Sequence, residues 1–170
     1  MSVNTAIEQD NLECTVNELD ADCIALWNEI KGLKKSNAVK PENIVFIGIR
    51  SYEKPELHLI ESAGIKVIFA EDVHKNGIEW ALSEIKNHFK ENVTDWYVSF
   101  DVDSMDPSIS HGTGTPVKGG LSKEQARSTI NYFWNNPNTK CFEITEINPE
   151  LDTVTPMAEE VCDLLLPLLK

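Results

Sequence analysis

No apolar run in this chain of 170 residues approaches the roughly 20 that a membrane-spanning helix needs. Residues Met1 to Leu12 are polar and acidic, unlike a secretory or transit peptide. Basic residues are scarce: 15 Lys and Arg stand against 28 Asp and Glu, for a net charge of −13. Phosphate binding needs basic patches, so nucleic acid is not an expected partner, and the scattered acids read as a solvated surface. Cysteine is sparse too. Cys14, Cys23, Cys141 and Cys162 form no C-x-x-C pair, which argues against a disulfide framework and for a reducing, cytoplasmic setting. Cys141 and Cys162 fall on apolar positions and are expected to be buried. There is no internal repeat, no low-complexity tract and no G-K-[ST] phosphate loop. No Ser/His/Asp or Cys/His nucleophile arrangement can be assembled either. His58 and His88 fall in expected helices, His74 in a loop, and His111 in a Gly/Thr segment where it reads as solvated.

What is present suits a soluble domain with a real core: 41% hydrophobic and 25% charged residues. Residues 1–20 show little periodicity and read as atypical and irregular. The pattern predicts a helix over 21–33, a strand over 43–49 and a helix over 56–63 closed by Gly64. It continues with a strand over 65–70, a helix over 76–90 and a strand over 96–101. Ser122 with Gln125 forms a capping box that opens a helix to about Asn135. A strand over 140–147 and a helix over 157–169 complete the chain. Strands alternating with helices predict an α/β domain, three layers with a mainly parallel sheet over 21–170. In such folds ligands bind beyond the C-terminal ends of the strands, where Arg50, Asp101, Asp103 and Glu146 fall.

The most informative segment is residues 98–120, VSFDVDSMDPSISHGTGTPVKGG. An apolar strand runs into two acids, Asp101 and Asp103, one residue apart. Strand alternation would point both carboxylates the same way. Oxygen donors of this kind suit Mg, Ca or Mn, and a cation offsets the cost of placing like charges together. The alternative is a pair of loop acids capping backbone amides. The loop Gly112-Thr113-Gly114-Thr115-Pro116 could let backbone approach a ligand, or could be a structural turn. Glu146 could pair with a cationic substrate group or face solvent. Glu53, in the loop after the first strand, could equally be a surface contact.

Together these motifs resemble the arginase family of ureohydrolases. The matching pieces are Ser99-Phe-Asp-Val-Asp-Ser-Met-Asp-Pro, Gly112-Thr-Gly-Thr-Pro-Val, Gly119-Gly120-Leu121, Ile47-Gly-Ile-Arg-Ser, Glu53 to Glu56 and Glu146-Ile-Asn-Pro. They cover about residues 40–170. The resemblance implies an α/β fold and a binuclear manganese centre that hydrolyses a guanidino C–N bond and releases urea. Asp101 and Asp103 resemble two metal-ligand aspartates. Thr115 and Glu146 resemble groups at the substrate guanidinium. Glu53 falls where arginases place an aspartate that reads the substrate's α-amino group, and it is one methylene longer.

The family's G-G-D-H and D-A-H-x-D segments, which bring histidines and further carboxylates to the metals, are missing here. The expectation is therefore the C-terminal half of an arginase-like fold with an incomplete metal site and no catalytic residue of its own. Such a chain is expected to be inactive alone, whether truncated or one half of a split pair. Its expected partners are a guanidino substrate, copies of itself or a complementary N-terminal half.

Overall fold

Val45–Ile49 (β1) and Lys66–Phe69 (β2) pair in one two-stranded sheet, and Trp96–Asp101 (β3) and Thr139–Thr145 (β4) in another. The computed structural model describes residues 21–32, 39–89, 93–152 and 156–169. The expected irregular segment 1–20 lies outside the described residues. Helices are Ala21–Gly32 (α1), Lys54–Ser62 (α2), Ala70–Asn76 (α3), Ile78–Phe89 (α4), Lys123–Trp134 (α5) and Met157–Leu165 (α6). The chain divides into two units, one drawn from 1–46 and 52–67, the other from 47–51 and 68–170.

In the first unit, Ile24, Leu26, Trp27 and Ile30 of α1 are all exposed. Helix α2 starts two residues earlier than its apolar pattern suggests, because Pro55 suits the first turn. Glu53 and Glu56 close its N-terminus as a reciprocal capping box, the Glu53 amide donating to Glu56 Oε2 at 2.7 Å.

The second unit holds the larger core. β3 and β4 run parallel, with Val98 opposite Phe142, Phe100 opposite Ile144 and Asp101 opposite Thr145. One face of this pair is apolar. Phe100 joins Val102, Met105, Ala126, Ile130, Met157, Val161 and Leu164 in a buried cluster, with Phe142 and Ile144 packed against it. α5 lies on β4 and contacts α4 and α6. The expected Ser122 capping box is present, with the Gln125 amide donating to Ser122 Oγ and the Ser122 amide to Gln125 Oε1. Lys123 Nζ reaches Glu160 at 2.6 Å and ties the start of α5 to α6. An aromatic row, Phe89, Trp96 and Phe133, closes the N-terminal end of the strands with ring centroids 5.5 and 5.3 Å apart.

Several expected boundaries shift. Ala70 opens α3 rather than ending β2, since Glu71 and Asp72 favour a first helical turn and Gly77, at φ 90°, stops the helix after seven residues. That helix is too short for its period to show in the sequence. β4 ends at Thr145 because Glu146 turns to φ 65°. The last helix tightens into a 3-10 turn at Leu166–Leu168, where Pro167 has no amide to donate. Cys141 and Cys162 are exposed, contrary to expectation, because they lie on the solvent sides of β4 and α6.

Gly120 is the tightest point near the site. Leu121 forms a parallel bridge with Met105, and a Cβ on Gly120 would collide with the Met105 carbonyl group. That neighbour is backbone and cannot rotate away. Gly120→Ala is expected to lower the unfolding free energy by about 1–3 kcal/mol, read from the urea midpoint. An unchanged midpoint would show that the close approach is absent in solution.

Candidate metal and guanidino site

Asp101 is the last residue of β3, and Asp103 follows in a 3-10 turn, Val102–Ser104. The two carboxylates are not aligned by strand alternation, as the spacing suggests, because Asp103 has already left the strand. The turn aligns them instead. The Asp103 amide donates to Asp101 Oδ1 at 2.7 Å, which fixes the first carboxylate against the backbone of the second. Val102, between them, is fully buried and anchors the turn in the core.

Thr115 arrives from the Gly/Thr loop, and its hydroxyl donates to Asp103 Oδ2 at 2.5 Å. Asp103 Oδ1 is buried with no hydrogen-bond partner. A buried carboxylate oxygen left unpaired is costly unless a proton donor or cation meets it. Asp101 is exposed as a residue, but partial burial of its carboxyl pushes it above its ordinary range; the hydrogen bond from Asp103 opposes the rise, the charges of Asp103 and Glu146 add to it, and Arg50 counters it. Glu146, just past β4, thus acts electrostatically on Asp101. Its φ of 65° is the one positive value at a non-glycine among the described residues, a conformation costing about 1–2 kcal/mol.

The loop is built to hold this shape. The Leu121 amide donates to Ser104 O at 2.8 Å and the Asp106 amide to Leu121 O at 2.9 Å. Gly112 O accepts from the Asn148 amide at 2.8 Å, linking the loop to the segment after β4. A side chain on Gly112 would meet the Asp152 carboxylate, whose Oδ2 takes the Met157 amide and caps α6. Arg50, at the end of β1, donates to Val117 O and Asp103 O, each at 2.6 Å from Nη2.

The structure thus gathers Asp101, Asp103, Thr115 and Glu146 at one strand end. Glu53 belongs to the other unit, where it caps α2. His111 is half-buried in the loop, and His74 Nε2 meets Gly119 O at 3.1 Å. Asp106 plays a larger part than the sequence suggests, although its place before Pro107 is a turn signal. Its oxygens take the amides of Ser108 and Gly119 at 3.0 and 2.9 Å.

The donors are hard oxygens, and an unpartnered one is already buried, so their chemistry fits Mn or Mg. Their number does not complete a shell. Among the described residues no three His, Cys, Asp or Glu side chains converge as a metal-holding group. A catalytic ion usually takes three or more protein ligands.

A parallel α/β unit with carboxylates and a glycine-rich loop at its strand ends belongs to a class of folds that bind ligands there. Comparison with known proteins narrows that class. The Arginase family model matches residues 11–169, further toward the N-terminus than the motifs reach, and the chain belongs to that family. It is 34% identical over 131 residues to an arginase of Staphylococcus aureus (strain COL), covering 76% of this chain and 43% of that protein. The solved arginase of Bacillus caldovelox superposes with a TM-score of 0.74 at 31% identity, over 84% of this chain and 47% of that one. The Helicobacter pylori arginase structure shares the fold with a TM-score of 0.79 at 23% identity, over 91% of this chain and 51% of that one. The chain therefore spans about half the length of the relatives it matches.

Hydrogen bonds from Ser108, then Gly119, hold the Asp106 carboxyl down to about 2. A depressed folded value means its stabilising effect is full above the ordinary carboxylate pKa of about 3.9 and is lost as the pH falls toward 2. Asp106→Asn is expected to cost about 1 kcal/mol at neutral pH, after allowing for solvent screening. The gap to the parent should narrow between about pH 4 and 2 in urea titrations. A gap independent of pH would show that the charge is not what the loop uses.

Proposed function

We propose that this chain supplies one share of a manganese-dependent ureohydrolase site acting on a guanidino compound. The carrying observation is the Asp101–Asp103 pair, held by a backbone amide and the Thr115 hydroxyl, with Asp103 Oδ1 buried and unpartnered. Asp101 and Asp103 would hold Mn2+, which when bound supplies an activated water for hydrolysis of the guanidino C–N bond and release of urea. Glu146 would pair with the guanidinium through charge-assisted hydrogen bonds, with Thr115 beside it. Membership of the family and the similarity to arginases support this reading.

Two carboxylates are too few for a binuclear centre, so turnover depends on donors beyond these. The 170-residue chain with Mn2+ is expected to release no urea from arginine or agmatine above background. It should bind Mn2+ weakly, with a Kd around the millimolar range, and lose that binding in Asp103→Asn, both read by the free-Mn2+ spectrum in electron paramagnetic resonance. Brisk urea production by the purified chain would defeat this reading.

A second reading, a chain that docks on the rest of an arginase-like fold or on copies of itself, rests on the outer face of β3 and β4. Tyr97 there is 64% exposed, and Ser99, Asp101 and Cys141 are exposed beside it. Parallel strands are normally covered on both faces. Docking would shield this face. The free thiols Cys141 and Cys162 fit a cytoplasmic location. Both should label rapidly in the isolated chain. On mixing with a polypeptide carrying the unmatched part of an arginase relative, Cys141 alone should become protected, as peptide mapping would show. Equal reactivity of both thiols, with light scattering at monomer mass throughout, would remove this reading.

No helix among the described residues is long and apolar enough to cross a membrane.

A further inference from the structure

We propose that Arg50 is the positioning residue of the candidate site, a single guanidinium that sets the turn carrying Asp103 and the loop carrying Thr115 in one register. Five hydrogen bonds support it. Arg50 Nε and Nη2 both donate to Val117 O, at 2.8 and 2.6 Å. Nη2 also donates to Asp103 O at 2.6 Å and to Met105 O at 3.2 Å, and Nη1 reaches Gly48 O at 3.5 Å. Three stretches of backbone, distant in sequence, are thus held by one planar group: the end of β1, the turn after β3 and the loop beyond Thr115.

The choice of acceptors carries the inference. Every one of these acceptors is a main-chain carbonyl, although Asp101, Asp103 and Glu146 lie at the same end of the sheet. Had Arg50 bonded a carboxylate directly, it would have occupied an oxygen that a metal or substrate could use. By bonding the carbonyl of Asp103 instead, it places that residue and leaves Oδ1 without a protein partner. Its charge still acts on Asp101 through space and opposes the repulsion among the acids. Lysine could not replace it. A lysine ammonium is a point donor on a flexible stem, whereas Arg presents five N–H groups in a rigid fork. Gly48, two residues before Arg50, holds φ 81°, a backbone conformation that L side chains rarely adopt.

The metal part of this inference rests on the reading of Asp101 and Asp103 as donors, and the loop-fixing part does not. Both can be measured on the full chain. In Arg50→Met, amide hydrogen exchange at Asp103, Met105 and Gly119 is expected to rise at least about tenfold, while exchange in α5 changes several-fold less. Mn2+ affinity should fall by about five- to tenfold, and Arg50→Lys should restore less than half of either loss on a logarithmic scale. Parallel acceleration in loop and core, or none in the loop, would overturn the proposal. If Asp103→Asn leaves Mn2+ binding unchanged, the donor reading fails, and loop exchange still decides the role of Arg50. If Arg50→Met does not fold, the unaltered chain gives the answer by nitrogen-15 NMR. A slowly exchanging Arg50 Nε–H supports the clamp, and one averaged with free guanidinium signals overturns it.

Discussion

Like charges brought to one strand end are the constraint on which this structure turns. Partial burial raises the cost of ionising Asp101, and the charges of Asp103 and Glu146 add to it. Nothing apolar can relieve that, so the chain does it with directed hydrogen bonds. The Asp103 amide holds Asp101, the Thr115 hydroxyl holds Asp103, and Arg50 holds the backbone beneath them. Each device spares at least one carboxylate oxygen. Asp103 Oδ1 is left buried and without a protein partner, as is Oδ1 of the α6-capping Asp152.

The core explains why this strand end can be held still. Val102 and Met105 flank Asp103 and are sealed in the same cluster as Ala126, Ile130, Met157 and Leu164. The turn therefore cannot shift without disturbing α5 and α6. Leu121 belongs to the same scaffold through its bridge to Met105, and Gly120 permits the approach by having no side chain. Packing and polar groups share this turn: Val102 and Met105 are buried in the core, while Asp101 and Asp103 carry the carboxylates of the candidate site.

Much of this was legible in the sequence, and the exceptions have physical causes. The alternation of apolar runs gave the strands and most helices, and Ser122 with Gln125 announced the start of α5 by capping chemistry alone. The residues of the candidate site came from the D-x-D and Gly/Thr motifs. Its geometry did not. Period-two reasoning predicted aligned carboxylates by a route the chain does not take, since the strand ends at Asp101 and a 3-10 turn carries Asp103. Helix α3 was invisible because seven residues give no period. Arg50 was marked as a strand-end residue, but its partners other than Gly48 lie 53 to 67 positions away, a distance over which a single sequence carries no pairing signal. Cys141 was misread because half of a two-faced strand is solvent-exposed when only one face is covered.

That uncovered face bears on the site directly. Tyr97, Ser99 and Asp101 alternate along β3 on the side away from the apolar cluster, opposite Cys141, Glu143 and Thr145 of β4. Ser99 Oγ donates to Glu143 Oε1 at 2.8 Å, and bonds from Tyr97 and then Ser99 hold the Glu143 carboxyl below its ordinary range. The face is polar and internally hydrogen-bonded, so exposure does not by itself drive aggregation as a bare apolar sheet would. Asp101 is its last residue. On the docking reading proposed above, an element covering this face would end beside the carboxylate pair and bring further donors to it. On that reading fold completion and site completion would be one event, with the polar sheet face as the common boundary.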